Sequence, residues 1–322
     1  MRAVRIHAAG GPGVMRVEEV STPSPGAGEV RVRLAASGVN FIDIYYRSGV
    51  YPVSLPLTPG MEGAGVISAV GEGVSEFSVG DRVAYAMVLG SYAEEAIVPA
   101  EKLARIPEGM DLRVAAAAIL QGLTAHYLVT STVPLQGGET VLIHAAAGGI
   151  GLLLTQAAKL KGARVLATVS TEAKAELARG AGADEVILYS QTDFSEEVKK
   201  FTGGLGVDVV YDSVGQDTFE GSLSSLRPRG HLVMFGQSSG FPPPFDLKRL
   251  GPSGSLFLTR PTLFHYIAAH EELRWRAEEF FSWVLTGDLR VRIGEAYPLD
   301  DAPLAHERLA GRLTTGKVIL DV

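Results

Sequence analysis

The segment VLIHAAAGGIG, from Val141 to Gly151, holds the residues whose types and spacing point most directly to chemistry. Its glycines fall at Gly148, Gly149 and Gly151, with Ala146 where the first glycine of a G-x-G-x-x-G fingerprint would stand. Without side chains, Gly148 and Gly149 let backbone N–H groups approach a pyrophosphate. The N-terminus of a following helix, carrying about half a positive charge, would face the same anion. A glycine-rich turn with no ligand would use the same residues. The apolar strand before it and the amphipathic helix pattern after it, with Ile150, Leu153, Leu154, Ala157 and Ala158 on one face, favour the nucleotide cradle.

The next chemically informative stretch is Val165 to Thr171. An NAD site usually carries an acidic residue about 20 residues after the glycines to hold the ribose hydroxyls. Here no acid occurs before Glu172, while Ser170 and Lys174 offer a hydroxyl and a cation that suit a 2′-phosphate. Lys174 also reads as a solvated helix lysine, and Glu172 as a first-turn acid favoured by the helix dipole.

These groups need a scaffold. Over residues 1 to about 118 the pattern is one of short strands punctuated by glycine and proline. Val30, Val32 and Leu34 alternate with Arg31 and Arg33, and further strands are predicted at 63–70, 82–87 and 92–98. Such a pattern suggests a compact barrel-like β domain. From about residue 120, strands and helices alternate, as in a parallel sheet. Strands are predicted at 140–144, 164–169, 185–188, 208–212 and 231–235. A helix is predicted over 171–179, and a long one after Pro261 with Leu273, Ala277, Phe280, Phe281 and Val284 on one side. A closing strand is predicted at 317–321.

The bulk properties narrow the function classes. The chain has 322 residues, no cysteine and a formal net charge of −7. Disulfides, thiolate nucleophiles and Cys-based zinc sites are therefore excluded, and a broad phosphate-binding surface is disfavoured, so no nucleic-acid partner is expected. The apolar run from Val141 to Ala158 is interrupted by His144, three glycines, Thr155 and Gln156, a poor membrane span. The first residues lack a signal-peptide stretch, so the expectation is a cytoplasmic protein without a membrane partner. Gly236-Gln-Ser-Ser-Gly240 fits a hydrolase G-x-S-x-G elbow, but Pro242, Pro243 and Pro244 follow where that motif needs a helix. No tyrosine has a lysine four places on, the pair that short-chain reductases use.

With the glycine-rich loop central and a β domain before it, the chain resembles the zinc-free quinone oxidoreductase branch (ζ-crystallin-like) of the medium-chain dehydrogenase/reductase superfamily. The resemblance runs over essentially the whole length. It shows at AASGVNFIDIYYRSGVYP (35–52), PGMEGAGVISAVGEGV (59–74), VGDRVAY (79–85), LQGLTAHYL (120–128), HAAAGGIG (144–151), YDSVG (211–215) and SLFLTRP (255–261). It implies an α/β fold. A GroES-like, β-barrel-type substrate domain would span residues 1–119 and 260–322, and a Rossmann domain with a doubly wound parallel sheet would span 120–259.

Zinc alcohol dehydrogenases of the superfamily carry Cys, His and Cys ligands at places matching Asn40, Met61 and Gln121, and none of these three residues makes a zinc site. The resemblance implies NADPH as cofactor. Asn40 and Thr124 would serve its nicotinamide half, and Gly148, Gly149 and Ile150 its pyrophosphate. Ser170, Lys174, Tyr189 and Arg312 would surround the 2′-phosphate and adenine end. Val214, Phe235, Gly236, Ser238, Phe257 and Thr259 would line the nicotinamide from the later strands.

The implied reaction is hydride transfer to a quinone or another small electron-poor carbonyl. Tyr46 and Tyr51, in the loop expected after Asn40, are candidate proton donors; both could equally shape an apolar wall. An enone or enoyl thioester reductase, or a low-turnover NADPH-binding protein, would share these features. A homodimer through the Rossmann sheet edge near Ser255–Thr259 is expected.

Overall fold

The computed structural model describes residues 1–322. The chain divides into two compact units. One joins Met1–Leu123 to Tyr266–Val322, and the other is contiguous over Thr124–His265.

The first unit opens with an antiparallel pair, β1 (Arg2–Ile6) and β2 (Met15–Glu19). Strand β3 (Glu29–Val39) follows, with Val30, Val32 and Leu34 buried as the alternation predicts. Next come helix α1 (Phe41–Ser48) and the strands β4 (Glu62–Val70), β5 (Arg82–Ala86), β6 (Glu95–Pro99) and β7 (Leu103–Arg105). Strand β5 stops one residue short of the prediction because Met87 takes a left-handed conformation, with φ of 64°. Strand β6 starts three residues late because the Tyr92 N–H is committed to the Pro59 carbonyl in the preceding turn.

Helix α2 (Leu112–Tyr127) is the largest departure from the strand-rich reading of this region. Its alanine run has high intrinsic helix propensity but no polar alternation to reveal a period. Asp111 caps it, its Oδ1 accepting the N–H groups of Arg113 and Val114. With the π-turn that follows, Leu112–Thr132 is long and apolar enough to cross a membrane by composition, with a mean hydropathy of 1.3. Because 78 % of that stretch is buried inside the protein, it serves as a core helix.

The second unit is built on β8 (Thr140–Ile143), α3 (Gly149–Leu160), β9 (Arg164–Val169), α4 (Glu172–Gly180), β10 (Glu185–Leu188) and α5 (Phe194–Phe201). It continues with β11 (Val207–Asp212), α6 (Phe219–Ser224), β12 (Leu226–Met234), β13 (Phe257–Thr259) and the short α7 (Leu263–Tyr266). All six strands are parallel, in the order β10-β9-β8-β11-β12-β13. Counted within the unit this is 3-2-1-4-5-6, the doubly wound dinucleotide-binding order. Its core gathers Leu142, Leu166, Ile187, Val210 and Leu232 from five adjacent strands.

The chain then returns to the first unit through α8 (His270–Thr286), β14 (Ile293–Pro298), α9 (Ala302–Ala310) and β15 (Lys317–Asp321). Helix α8 buries Leu273, Ala277, Phe280 and Phe281, as its period predicts, and ends at Gly287 with φ of 83°. A β-carbon on Gly122 of α2 would overlap the Phe280 ring, so glycine lets α2 and α8 close on each other. Strand β15 pairs antiparallel with the second half of β3, and the larger sheet runs β14-β15-β3-β4-β5-β7, with β6 also on β3. The sequence set the unit junctions at 119/120 and 259/260, whereas the compact units divide at 123/124, inside α2, and at 265/266, inside α7.

Candidate active site

In the second unit the glycine-rich turn leaves β8 at the point where the strand order reverses, between β8 and β11. Ala145 sits at φ of 52°, a left-handed conformation that a non-glycine residue seldom takes. Gly148 N–H closes the turn on the Ala145 carbonyl, and α3 begins directly after it. A β-carbon on Gly151 would fall 2.6 Å from Ala146 Cα, so the third glycine is what lets α3 pack on its own turn.

The helices α4 and α5 are capped by their own side chains, Thr171 accepting from Lys174 N–H and Asp193 from Ser195 N–H. The N-cap of α3, Gly148, supplies no side-chain cap. The first-turn N–H groups of α3 at the switch point are therefore left without a capping side chain, an arrangement suited to an anion.

A buried relay fixes this edge. Asp212, at the end of β11, accepts the N–H groups of Val214 (2.8 Å) and Gly215 (3.0 Å) at Oδ1. Its Oδ2 accepts the hydroxyls of Ser222 and Thr218, each at 2.7 Å. Because the Ser222 hydrogen goes to Asp212, its oxygen accepts from His144 Nε2 at 3.0 Å, and His144 Nδ1 accepts from Thr168 at 2.8 Å. Burial lowers the His144 pKa, with Asp212 opposing, and keeps the ring neutral. Ser222, His144 and Asp212 thus form no nucleophilic triad, since the serine donates to the carboxylate and not to the imidazole. What they do is tie together the ends of β8, β9 and β11.

Near this edge lie Ser170, directly after β9, and Tyr189, directly after β10. Ser190 Oγ donates to the Ser170 carbonyl, and Tyr189 is 47 % exposed. Lys174 lies in the first turn of α4. Val214, Phe235, Gly236 and Ser238 follow β11 and β12 and are joined there, Phe235 N–H to the Asp212 carbonyl and Ser238 N–H to the Ser213 carbonyl. Thr259 ends β13 level with Val233. Phe257 starts that strand, and its ring stacks on His231 at 4.5 Å, so it is set back from the strand ends. Thr124 is buried in α2. No helix follows Ser238, so the G-x-S-x-G match has none of the geometry of a nucleophile elbow.

The first unit holds a second polar cluster, entirely buried. Asn40 precedes α1, and its amide oxygen accepts from Lys317 Nζ (2.7 Å) and Gln121 Nε2 (3.3 Å). Its amide nitrogen donates to Glu62 Oε2 (2.9 Å) and to the Gly38 carbonyl (3.4 Å). Lys317 also donates to Glu62, whose other oxygen accepts Leu120 N–H at 2.7 Å. Burial lowers the Lys317 pKa, with Glu62 opposing.

Beside this cluster, Asp43 Oδ2 accepts Asn40 N–H (2.8 Å) and the Tyr92 hydroxyl (3.1 Å), while its Oδ1 has no partner. Burial pushes the Asp43 pKa up to about 7. Tyr92 lies 2.9 Å from His306 Nε2, and Arg47 Nη1 lies 3.2 Å from His306 Nδ1.

Several of these residues escaped the sequence reading: Asp43, Arg47, Glu62, Tyr92, His306 and Lys317. The one available signal was Gly38 inside an apolar strand, where a β-carbon would come within 2.6 Å of the Glu62 carboxyl carbon and 2.8 Å of Lys317 Cε. The candidate proton donors need a correction of setting. Tyr46 lies on helix α1 and not in a loop, and Tyr51 lies just beyond that helix. Their rings meet edge to face at 5.8 Å, and Tyr45 meets Tyr51 at 5.3 Å. Burial raises the Tyr46 pKa. Arg312, in the first unit, follows α9 with φ of 56°.

A doubly wound parallel sheet with an open helix N-terminus at its switch point, in a chain with a separate β-rich unit, defines a dinucleotide-dependent oxidoreductase class. Residues 26–108 match the family described as alcohol dehydrogenase GroES-like domain, and residues 149–283 the family described as zinc-binding dehydrogenase. A quinone oxidoreductase of Pseudomonas aeruginosa is 47 % identical over 321 residues, 99 % of each chain. A 2-haloacrylate reductase of Burkholderia is 44 % identical over 326 residues, 99 % of this chain and 98 % of that one. The crystal structure of Escherichia coli quinone oxidoreductase complexed with NADPH superposes with a TM-score of 0.98 at 44 % identity, covering 100 % of both chains. The chain belongs to the zinc-free quinone oxidoreductase branch of the medium-chain dehydrogenase/reductase superfamily.

The zinc in one family description does not fit this chain. Asn40 and Gln121 are neutral amides, and the Asn40 oxygen already accepts from an ammonium group. Met61 is a buried thioether, and no group of three His, Asp or Glu side chains is arranged to hold a metal ion.

Proposed function

We propose that this protein is an NADPH-dependent, zinc-independent quinone oxidoreductase acting in the cytoplasm. The observation that carries the reading is the edge formed by β8, β9 and β11, with an uncapped α3, a locked Gly-rich turn and no acid at the end of β9. Bound there, NADPH supplies the hydride. Gly148, Gly149 and Ile150 would receive the pyrophosphate on backbone N–H groups. Ser170, Lys174, Tyr189 and Arg312 would recognise the 2′-phosphate and adenine end, the cation and hydroxyls giving charge-assisted hydrogen bonds. Asn40, Thr124, Val214, Phe235, Gly236, Ser238 and Thr259 would serve the nicotinamide half, whereas Phe257, set back at the start of β13 and stacked on His231, belongs to the sheet edge. A quinone is already electrophilic, so orientation and exclusion of water can supply much of the rate without a Lewis acid.

The reduced acceptor also needs a proton, for which Tyr46 and Tyr51 are the candidate donors. A homodimer joined along β13 fits its position at the open edge of the parallel sheet. Phe257, 54 % exposed on that edge, is the residue to change: Phe257→Lys should shift sedimentation towards the monomer, and an unchanged dimer would move the interface elsewhere.

Reduction of an activated carbon–carbon double bond is a second reading, favoured by the 44 % identity to the 2-haloacrylate reductase. NADPH oxidation with 1,4-benzoquinone, 9,10-phenanthrenequinone, a simple enone, an enoyl thioester and 2-chloroacrylate separates the two. Turnover of quinones alone supports the first reading, and turnover of alkenes alone replaces it with the second. Tight NADPH binding without any turnover would make the chain a binding protein.

A further inference from the structure

The Asn40 amide has no freedom left. Both its hydrogens and both oxygen lone pairs are engaged, by Glu62 and the Gly38 carbonyl on one side and by Lys317 and Gln121 on the other. Turning the amide over would set its NH2 against the ammonium and its oxygen against the carboxylate. Its main-chain N–H is fixed in turn by Asp43. The clamp comes from strands far apart in the chain, since Lys317 and Glu62 are 255 residues from each other. Both are fully desolvated, Lys317 1 % and Glu62 0 % exposed. A buried ion pair is commonly no more stabilising than well-packed apolar residues, so fold stability alone does not account for it.

We propose that Lys317 is a positioning residue for hydride transfer. With Glu62 and Gln121 it holds the Asn40 amide in a single orientation, and so fixes the surface against which the nicotinamide half of the cofactor is oriented. This rests on the assignment of Asn40 to that half. The pyrophosphate and 2′-phosphate contacts proposed above lie on other residues, so losing the clamp affects ring placement far more than affinity. Misplacing reacting atoms by about 1 Å costs on the order of 100-fold in rate.

The test uses the full chain as wild type, Asn40→Ala, Lys317→Arg, Lys317→Met and the neutral pair Glu62→Gln with Lys317→Met. Each is measured for melting temperature, NADPH affinity, emission maximum of bound NADPH, and single-turnover oxidation by 9,10-phenanthrenequinone. The neutral pair guards against the single variant failing to fold, because it leaves no unpaired buried charge. The expected result is a near-normal melting temperature for the neutral pair and NADPH affinity within about threefold. Its hydride transfer should be slowed on the order of 100-fold and its emission shifted, with partial rescue by Lys317→Arg.

Normal emission and rate in the neutral pair would overturn the proposal and leave Lys317 a charge-balancing residue. Asn40→Ala separates the two layers. If it changes neither rate nor emission, the Asn40 assignment fails and takes the proposal with it; if it changes both while the Lys317 variants change neither, the proposal alone falls. An inert wild type would count against the quinone reading, and the emission would still test the clamp.

Discussion

Arg47 donates from Nη1 to Nδ1 of His306 across 3.2 Å, and this contact sets the direction of a whole chain of hydrogen bonds. A guanidinium has no acceptor, so His306 must accept at Nδ1 and carry its hydrogen on Nε2. That hydrogen goes to the Tyr92 oxygen, which leaves the Tyr92 hydroxyl to donate to Asp43 Oδ2. Arg47 thus determines, through two intermediaries, which Asp43 oxygen is already occupied and that any proton Asp43 binds goes to Oδ1.

The pH dependence of stability follows from the two ends of this chain. Asp43, pushed up to about 7 by burial, holds more protons folded than unfolded between about pH 4 and 7, so its contribution falls as pH rises through that window. His306, pushed down to about 3 by burial with Arg47 adding to the effect, holds fewer protons folded than unfolded. Its contribution is full above about pH 6.5 and is lost as pH falls towards 3. Each effect is about 4 to 5 kcal/mol, and over pH 4 to 6.5 the two nearly cancel. Urea unfolding across pH 4 to 7.5 should show Asp43→Asn losing stability steeply towards acid and His306→Gln gaining it. Variants that both parallel the wild type would contradict the opposed titrations.

Lys174→Ala should weaken NADPH by about 10- to 150-fold, the loss of one charged hydrogen-bonding partner worth about 1.5–3 kcal/mol, and leave NADH almost untouched. Titrating both cofactors by fluorescence checks it. Equal weakening of both would remove Lys174 from the 2′-phosphate site.

Gly151→Ala pushes a β-carbon against the main chain at Ala145 and Ala146, atoms that cannot rotate away. The overlap should cost about 1–3 kcal/mol in the apo protein and displace the turn enough to abolish NADPH binding. Calorimetry and cofactor titration read the two effects separately. Normal NADPH affinity in this variant would show that α3 does not need its close approach.

Tyr46 is protonated at neutral pH, as a phenol with a pKa of about 10 is, and burial raises its pKa further. If either tyrosine donates the proton to the reduced acceptor, Tyr46→Phe or Tyr51→Phe should slow turnover by about 100-fold or more, as general acids typically do. Unchanged turnover in both single variants and in the double variant would assign the proton to solvent.

The parallel sheet was legible because each of its inner strands is an apolar run bracketed by turn signals. The strands at 164–169 and 185–188 coincide to the residue with β9 and the edge strand β10, and in the other sheet the strand at 317–321 coincides with β15. Helix α1 was not, and its segment reads as a loop, since FIDIYYRS is rich in aromatic and β-branched residues of modest helix propensity. It forms because Asp43 reaches back to the Asn40 N–H and Gly49 closes the end at φ of 81°. The short strand β13 is legible only through its partner β12. For the buried charges the limit is more basic. Nothing local to Glu62 or Lys317 says that the other will be there, and only Gly38, kept bare between them, marks the place.

The first unit is assembled from two stretches of chain with the whole nucleotide unit between them. A ribosome delivers β3 and β4 early and β15 last. Until then the Ala36–Val39 part of β3 lacks its outer partner, and Glu62 has no counter-ion. The contiguous Thr124–His265 unit can complete itself in that interval, whereas the other remains open, with a bare strand edge of the kind that recruits neighbouring chains. Arrival of Lys317 closes the sheet and neutralises Glu62 in one event, so the step that finishes the larger sheet during biosynthesis is also the one that first locks Asn40.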